Sequence, residues 1–339
     1  MSFWPRVSRP YRFGIHFRPP EPRAEPRRNR VDSFHWENAG VDPTARLRCG
    51  AFAASDGAEV PYHLWLARKP RAAVLLLHGA FDYAAAFEEI GPRLARRGFT
   101  SLAFDQRGFG ATASRGAWSG TARMADDMIE AARFVQGRVP PNTPLFAIGE
   151  SLGGAVAIHA AASGMEPQLK GLVLAAPGAL ASPFRQRLLA WFAASLRAMG
   201  GDAELVFERL SGWELTPAAA IRLLGDPLVM RRIPPEMLCG MASLALASVS
   251  EAKRVNVPVL TMVGARDELV RQSCIRQLFD NLAGPKSWLV VPDGPHLLLH
   301  WSRSGGVLRE ATRWMCTQLG RGSPEAFCAE TPGATSIAA

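Results

Sequence analysis

Apolar runs and helical patterns alternate along most of this chain. Leu47 to Ala53 and Val60 to Ala67 read as two strands joined by the turn Ser55-Asp56-Gly57. Ala73 to Leu77 is a continuous apolar run, the signature of a strand buried on both faces, and a helical pattern near Ala84 to Arg97 follows it. The pairing repeats with Phe99 to Phe104 and Thr121 to Gln136, then with Leu145 to Ile148 and a helix of small residues. Leu172 to Ala175 is another strand. Val259 to Val263 and Ser287 to Val291 resume the series, each followed by helical sequence. Strands of this kind separated by helices predict an α/β fold. Its sheet is central and mostly parallel with helices on both faces, and its functional residues lie at the carboxyl ends of the strands.

Three stretches break the pattern. Residues 178–252 contain no convincing strand. Leu188, Trp191, Phe192, Leu196 and Met199 recur at helical spacing, and Leu205 to Leu210, Ala218 to Leu224 and Pro235 to Val249 also look helical. The expectation is a helical cap over 178–252, inserted into a core made of 45–177 and 253–318. The stripe from Leu188 to Met199 has two readings: packing within the cap, or apolar surface presented to lipid and an acyl chain. Residues 1–30 mix Arg and aromatics with Pro5, Pro19, Pro20, Pro22 and Pro26, which no single helix or central strand accommodates. This arm is read as extended or disordered, either solvated or in peripheral contact with an anionic membrane. Residues 320–339 are small and polar and read as a disordered tail.

Composition narrows the field. With 339 residues, 48% hydrophobic and 20% charged, the chain is an ordinary globular one. The net charge of +9 is concentrated at one end, because residues 1–30 hold eight Arg against two Glu. The folded part is therefore close to neutral, and no nucleic-acid partner is expected. No apolar run approaches the roughly 18 residues that cross a bilayer, and no charged-then-apolar leader opens the chain, so the expected location is cytoplasmic. Cys49, Cys239, Cys274, Cys316 and Cys328 are scattered without C-x-x-C spacing, which argues against a disulfide framework and a zinc site. No metal or organic cofactor is expected.

The chemistry concentrates at Gly149-Glu150-Ser151-Leu152-Gly153, between the Leu145 strand and the small-residue helix. A serine on a sharp strand-to-helix turn needs glycine two places before and after it, where Cβ atoms have no room. Ser151 then projects from the tip as a nucleophile. The amide of Leu152, at the helix N-terminus, can point at a developing oxyanion.

A serine hydroxyl needs a base, and the base needs a carboxylate to orient it. In this strand–turn–helix arrangement both follow the serine, acid before histidine. Asp267 stands in the turn after the Val259 strand, with Glu268 as the rival acid. His296 stands after the Ser287 strand, with His300 as the rival base; His159 falls within the helix after Ser151. A second oxyanion donor is expected after the Ala73 strand, where His78-Gly79-Ala80-Phe81 offers the Ala80 amide, or alternatively that of Phe81. Asp105-Gln106-Arg107-Gly108-Phe109-Gly110 lacks the lysine of a phosphate loop and reads as a structural turn.

With these residues placed, the chain resembles the α/β-hydrolase superfamily, and within it the branch of monoacylglycerol lipases, lysophospholipases and the serine aminopeptidase type of hydrolase. The resemblance rests on HGAFDY at 78–83, DQRGFG at 105–110, GESLGGAVA at 149–157, DPLV at 226–229, PVLTMVGARDELV at 258–270 and PDGPH at 292–296. It implies a triad of Ser151, Asp267 and His296, with Ala80 and Leu152 donating to the oxyanion. The implied activity is cleavage of a carboxylic ester of a lipid-like substrate, a monoacylglycerol or lysophospholipid, through an acyl-enzyme. A thioesterase, peptidase or acyltransferase would use the same triad. A non-catalytic binding protein on this scaffold is the reading from another class.

Overall fold

The computed structural model describes residues 14–18, 46–181, 202–206 and 214–320. Readings that fall elsewhere, including the Leu188 to Met199 stripe, most of the N-terminal arm and the tail after residue 320, lie outside the described residues.

The main sheet has eight strands. In chain order they are β2 (Arg46–Ala53), β3 (Glu59–Leu66), β4 (Ala72–Leu77), β5 (Phe99–Phe104), β6 (Leu145–Glu150), β7 (Gly171–Ala175), β10 (Val259–Gly264) and β11 (Lys286–Val291). Across the sheet the order is β11-β10-β7-β6-β4-β5-β3-β2. Only β3 runs against the rest, pairing antiparallel with both β2 and β5. The chain therefore carries the α/β-hydrolase fold.

Helices cover both faces, as a parallel sheet requires. Strand β4 alternates Ala73, Leu75 and Leu77 to one face with Val74 and Leu76 to the other. The first face packs on α2 (Thr121–Gln136), α3 (Leu152–Ala162), α5 (Pro235–Glu251) and α6 (Gln272–Asn281), through residues such as Met128, Val156, Leu244 and Ile275. The second packs on α1 (Gly91–Arg96) and α7 (Ser304–Gln318), through Leu94, Leu308 and Met315. Each such buried side chain contributes about 1.5–3 kcal/mol of transfer free energy.

The single helix expected over Ala84 to Arg97 is instead a 3-10 turn at Ala84–Phe87 followed by α1. Pro92 explains the break, since its ring and missing N–H are tolerated in a first turn but not further in. Gly91 opens the helix because a Cβ there would lie 2.1 Å from the Trp65 ring.

Residues 178–252 are inserted between β7 and β10, which are neighbours in the sheet. The expectation that this insert is purely helical is corrected. It holds α4 (Pro217–Gly225) and α5, but also β8 (Asp202–Val206) and β9 (Arg232–Ile233). Part of the stretch expected as a helix at Leu205 to Leu210 is thus strand. The N-terminal arm supplies the third member, β1 (Gly14–Arg18), and the order of this antiparallel sheet is β1-β8-β9. Its register pairs Gly14 with Val206 and Arg18 with Asp202. Both Gly-Ile-His-Phe-Arg and Asp-Ala-Glu-Leu-Val alternate polar and apolar positions, the period of a strand. A strand so short gains its hydrogen bonds only from a partner far away in sequence.

Candidate active site

Ser151 joins β6 to α3 at φ 51°, ψ −116°, a region that non-glycine residues rarely occupy. Neighbouring strands hold it there. Its N–H donates to the Ala175 carbonyl at 3.0 Å, and its own carbonyl accepts from Gly178 N–H at 2.7 Å. The glycines around it are sterically required. A Cβ on Gly149 would lie 2.6 Å from the Gly153 carbonyl oxygen, and one on Gly153 would lie 2.3 Å from that of Leu77.

Two loops from other strands reach the serine. The Ser151 hydroxyl lies 2.9 Å from His296 Nε2, and His296 Nδ1 lies 2.8 Å from Asp267 Oδ2. His296 comes from the loop after β11 and Asp267 from the loop after β10, so the ends of β11 and β10 converge on that of β6, with β7 lying between β10 and β6. The Asp267 side chain is fully buried, and its Oδ1 accepts the amides of Leu269 at 2.9 Å and Val270 at 3.0 Å. With both oxygens occupied, the carboxylate orients the imidazole so that Nδ1–H donates to it and Nε2 accepts from the serine. Glu268, the rival acid, is exposed on the same turn. His300, the rival base, points elsewhere: its Nε2 lies 3.0 Å from Glu150 Oε2.

The loop after β4 lies against the nucleophile turn. A Cβ on Gly79 would sit 3.6 Å from Ser151 Cβ. Among the described residues, no protein acceptor is assigned to the amide of Ala80 or of Leu152. His78 braces this loop from inside. Its Nδ1 donates to the Gly79 carbonyl at 2.8 Å, while Nε2 accepts the Gln106 amide at 3.0 Å. Burial pushes the His78 pKa down to about 4, so the ring is neutral at pH 7.

The turn at 105–110 ties loops together. Asp105 accepts the amides of Ala84 at 2.9 Å and Ala111 at 2.8 Å, and burial raises its pKa to about 6. Arg107 bridges Asp127 and Asp56. Pairing absent from the sequence reading joins the 78–83 loop to the insert. Asp82 meets Arg222 of α4, the Tyr83 hydroxyl donates to Asp226, and the Met230 amide donates to the Phe81 carbonyl at 2.8 Å. Beside Met230 a cavity of about 720 Å³ opens, lined by Arg115, Arg231 and Arg232 with Pro227, Val229 and Pro234 among its other walls.

Among the described residues no three of His, Cys, Asp or Glu are grouped so as to hold a metal ion, and no disulfide joins the four described cysteines. No helix among them is long and apolar enough to cross a membrane.

Comparison with known proteins identifies the family. The family model described as serine aminopeptidase, S33, matches residues 68–300. Rat monoglyceride lipase is 25% identical over 263 residues, covering 74% of this chain and 84% of the relative. A 106-residue stretch is 37% identical to bovine protein phosphatase methylesterase 1, covering 30% of this chain and 27% of that protein. Among solved structures, a soluble variant of monoglyceride lipase from Saccharomyces cerevisiae, in complex with a substrate analogue, superposes with a TM-score of 0.66 at 18% identity. It covers 82% of this chain and 96% of that one. Since the family model spans well over half of the sequence, and spans the loops that bring Ser151, Asp267 and His296 together, the chain belongs to the serine aminopeptidase S33 family of α/β-hydrolases.

Proposed function

We propose that the protein is a serine hydrolase that cleaves the carboxylic ester of a lipid-like substrate, a monoacylglycerol or lysophospholipid, through an acyl-enzyme. The observation that carries this reading is the unbroken chain of two hydrogen bonds from Ser151 through His296 to Asp267, at 2.9 and 2.8 Å. The Ser151 oxygen attacks the ester carbonyl while His296 Nε2 takes its proton. The oxyanion is held by the amides of Ala80 and Leu152, each such donor contributing about 2.7–4 kcal/mol to the transition state. The C–O bond to the alcohol then breaks, and His296 returns the proton to the leaving oxygen. Water repeats the sequence on the acyl-enzyme, with His296 again as base, and releases the carboxylic acid.

The described part of the insert, tied to the 78–83 loop through Asp82–Arg222 and Tyr83–Asp226, serves in this reading as the cap over the site. The relation to rat monoglyceride lipase supports a glycerolipid ester. Hydrolysis of monoacylglycerols, lysophospholipids, short p-nitrophenyl esters and a thioester by the wild type and by Ser151→Ala tests the proposal. Turnover of the lipids that disappears in the variant supports it. Turnover of the thioester alone moves the assignment to a thioesterase. A folded protein that neither turns over any substrate nor reacts with a fluorophosphonate overturns it in favour of a binding protein.

A further inference from the structure

Glu150 and His300 take no part in the chemistry above, yet they lie directly behind it. Glu150 immediately precedes Ser151 and, by strand alternation, shares the face of β6 that carries Phe146 and Ile148. His300 lies four residues past His296. The two side chains are 0% and 3% exposed, and His300 Nε2 is 3.0 Å from Glu150 Oε2. The two atoms meet as an ion-pair contact without hydrogen-bond alignment, and among the described residues neither has a hydrogen-bond partner. The other Glu150 oxygen accepts the Leu299 amide at 2.8 Å.

We infer that Glu150 and His300 form a buried positioning couple, which holds the loop bearing His296 at hydrogen-bonding distance from Ser151. This inference rests on the serine-hydrolase reading.

The physical case has three parts. A carboxylate sealed from water needs a compensating donor, and the His300 ring is the one beside it. The loop itself is tightly wound: the Leu298 amide donates to the His296 carbonyl at 3.0 Å, and the His300 amide to the Leu297 carbonyl at 3.2 Å. Fixing His300 therefore fixes His296. Finally, the insert grips the same residue, because the Thr216 amide donates to the His300 carbonyl at 2.9 Å. An apolar pair could fill this space with equal or greater stability, so stability does not account for the polar choice. What an apolar pair lacks is direction, and the triad needs direction most between the nucleophile strand and the histidine loop.

The test uses the full chain with His300→Leu, Glu150→Asp, Glu150→Gln and the double variant Glu150→Leu/His300→Leu, each checked for cooperative unfolding. A shift of the base by about an ångström lowers kcat by about 10²-fold. The couple therefore predicts such a loss for His300→Leu with KM unchanged, and an equal slowing of fluorophosphonate labelling at Ser151. Glu150→Gln keeps its carbonyl oxygen for the Leu299 amide and turns its NH2 toward His300 Nε2, which accepts in its other neutral tautomer, so the variant retains most of the activity. The double variant is no slower than the single one. If His300→Leu does not fold, Glu150→Asp decides, since it keeps the charge but withdraws it by one methylene: lowered kcat with unchanged KM supports the couple. Wild-type kcat in a folded His300→Leu or Glu150→Asp overturns it. A wild type inert to both esters and the probe overturns the serine-hydrolase reading, and the couple's role with it.

Discussion

Asp82 and Arg222 close a two-pronged ion pair between the loop that holds Ala80 and the insert. Arg222 Nε lies 3.0 Å from Oδ1 and Nη2 lies 2.9 Å from Oδ2, with the side chains 7% and 6% exposed respectively. Removing one partner would leave the other charge buried and unpaired, at a cost of about 3–5 kcal/mol. Arg222→Ala should therefore unfold at markedly lower urea. The pair Asp82→Leu/Arg222→Leu should recover much of that stability, because no lone charge remains. A single variant as stable as wild type would contradict this account.

The same pair predicts a loss in acid. Burial pushes the Asp82 carboxyl upward, but Arg222, with His300 and His78, outweighs it and the net shift is downward. A carboxylate with a lowered folded-state pKa stabilises the fold above its ordinary value of about 3.9 and loses that contribution as pH falls through the folded value. The loss from Asp82 should thus appear only below about pH 4 and be missing in the double variant.

His78 and Asp105 act on stability in the same pH window with opposite signs. His78 is neutral when folded down to about pH 4, whereas an unfolded histidine protonates near 6.5, so acidification from 6.5 to 4 favours unfolding by about 3 kcal/mol. Asp105 takes up its proton near pH 6 when folded and near 3.8 when unfolded, so acidification from 6 to 4 favours folding by a similar amount. The two should largely cancel. Asp105→Asn should therefore make urea midpoints fall more steeply between pH 6.5 and 4.5 than in the wild type. An unchanged slope would show that Asp105 does not offset His78.

Asp267 and Glu268 are neighbours on one turn with opposite surroundings. Asp267→Asn keeps the size of the side chain but disrupts the acceptor that sets the His296 tautomer, and the expected loss in kcat is about 10⁴-fold. Glu268→Gln should leave kcat and KM unchanged, since that residue is exposed. Steady-state rates on a p-nitrophenyl ester check both, and a large loss in Glu268→Gln would reverse the assignment.

The glycines near the nucleophile should separate folding from catalysis. Gly153→Ala would place its methyl 2.3 Å from a backbone oxygen that has no freedom to move, and the elbow should fail to form. Gly79→Ala meets Ser151 at an ordinary 3.6 Å and should fold normally. Its methyl enters the space beside the serine, so kcat should fall while the melting temperature holds. Circular dichroism melts with ester kinetics would read both effects.

The sheet was largely legible in the sequence because buried parallel strands are continuous apolar runs; Phe99–Phe104 and the neighbouring Thr121–Gln136 helix have the expected bounds. The turns bearing Ser151, Asp267 and His296 were legible for a related reason. Each follows such a strand, and few residue types fit the chemistry. What local pattern could not carry was pairing over distance. Glu150 was one position of a motif and His300 a rival base until the fold set them 3.0 Å apart. Asp82 and Arg222 are 140 residues apart in sequence. The β8 strand escaped notice because five alternating residues are a weak signal without the partner that completes the ladder.

That partner strand, β1, has a consequence for how the molecule is made. Its ladder waits on β8, which the chain reaches only after β2 through β7 have been laid down. During synthesis β1 is thus made well before the partner that gives it its place. Late closure of such a distant contact carries a large loop entropy and forms after local structure. Bulk attached beside β1 would therefore compete with the final stitch that joins this strand to β8.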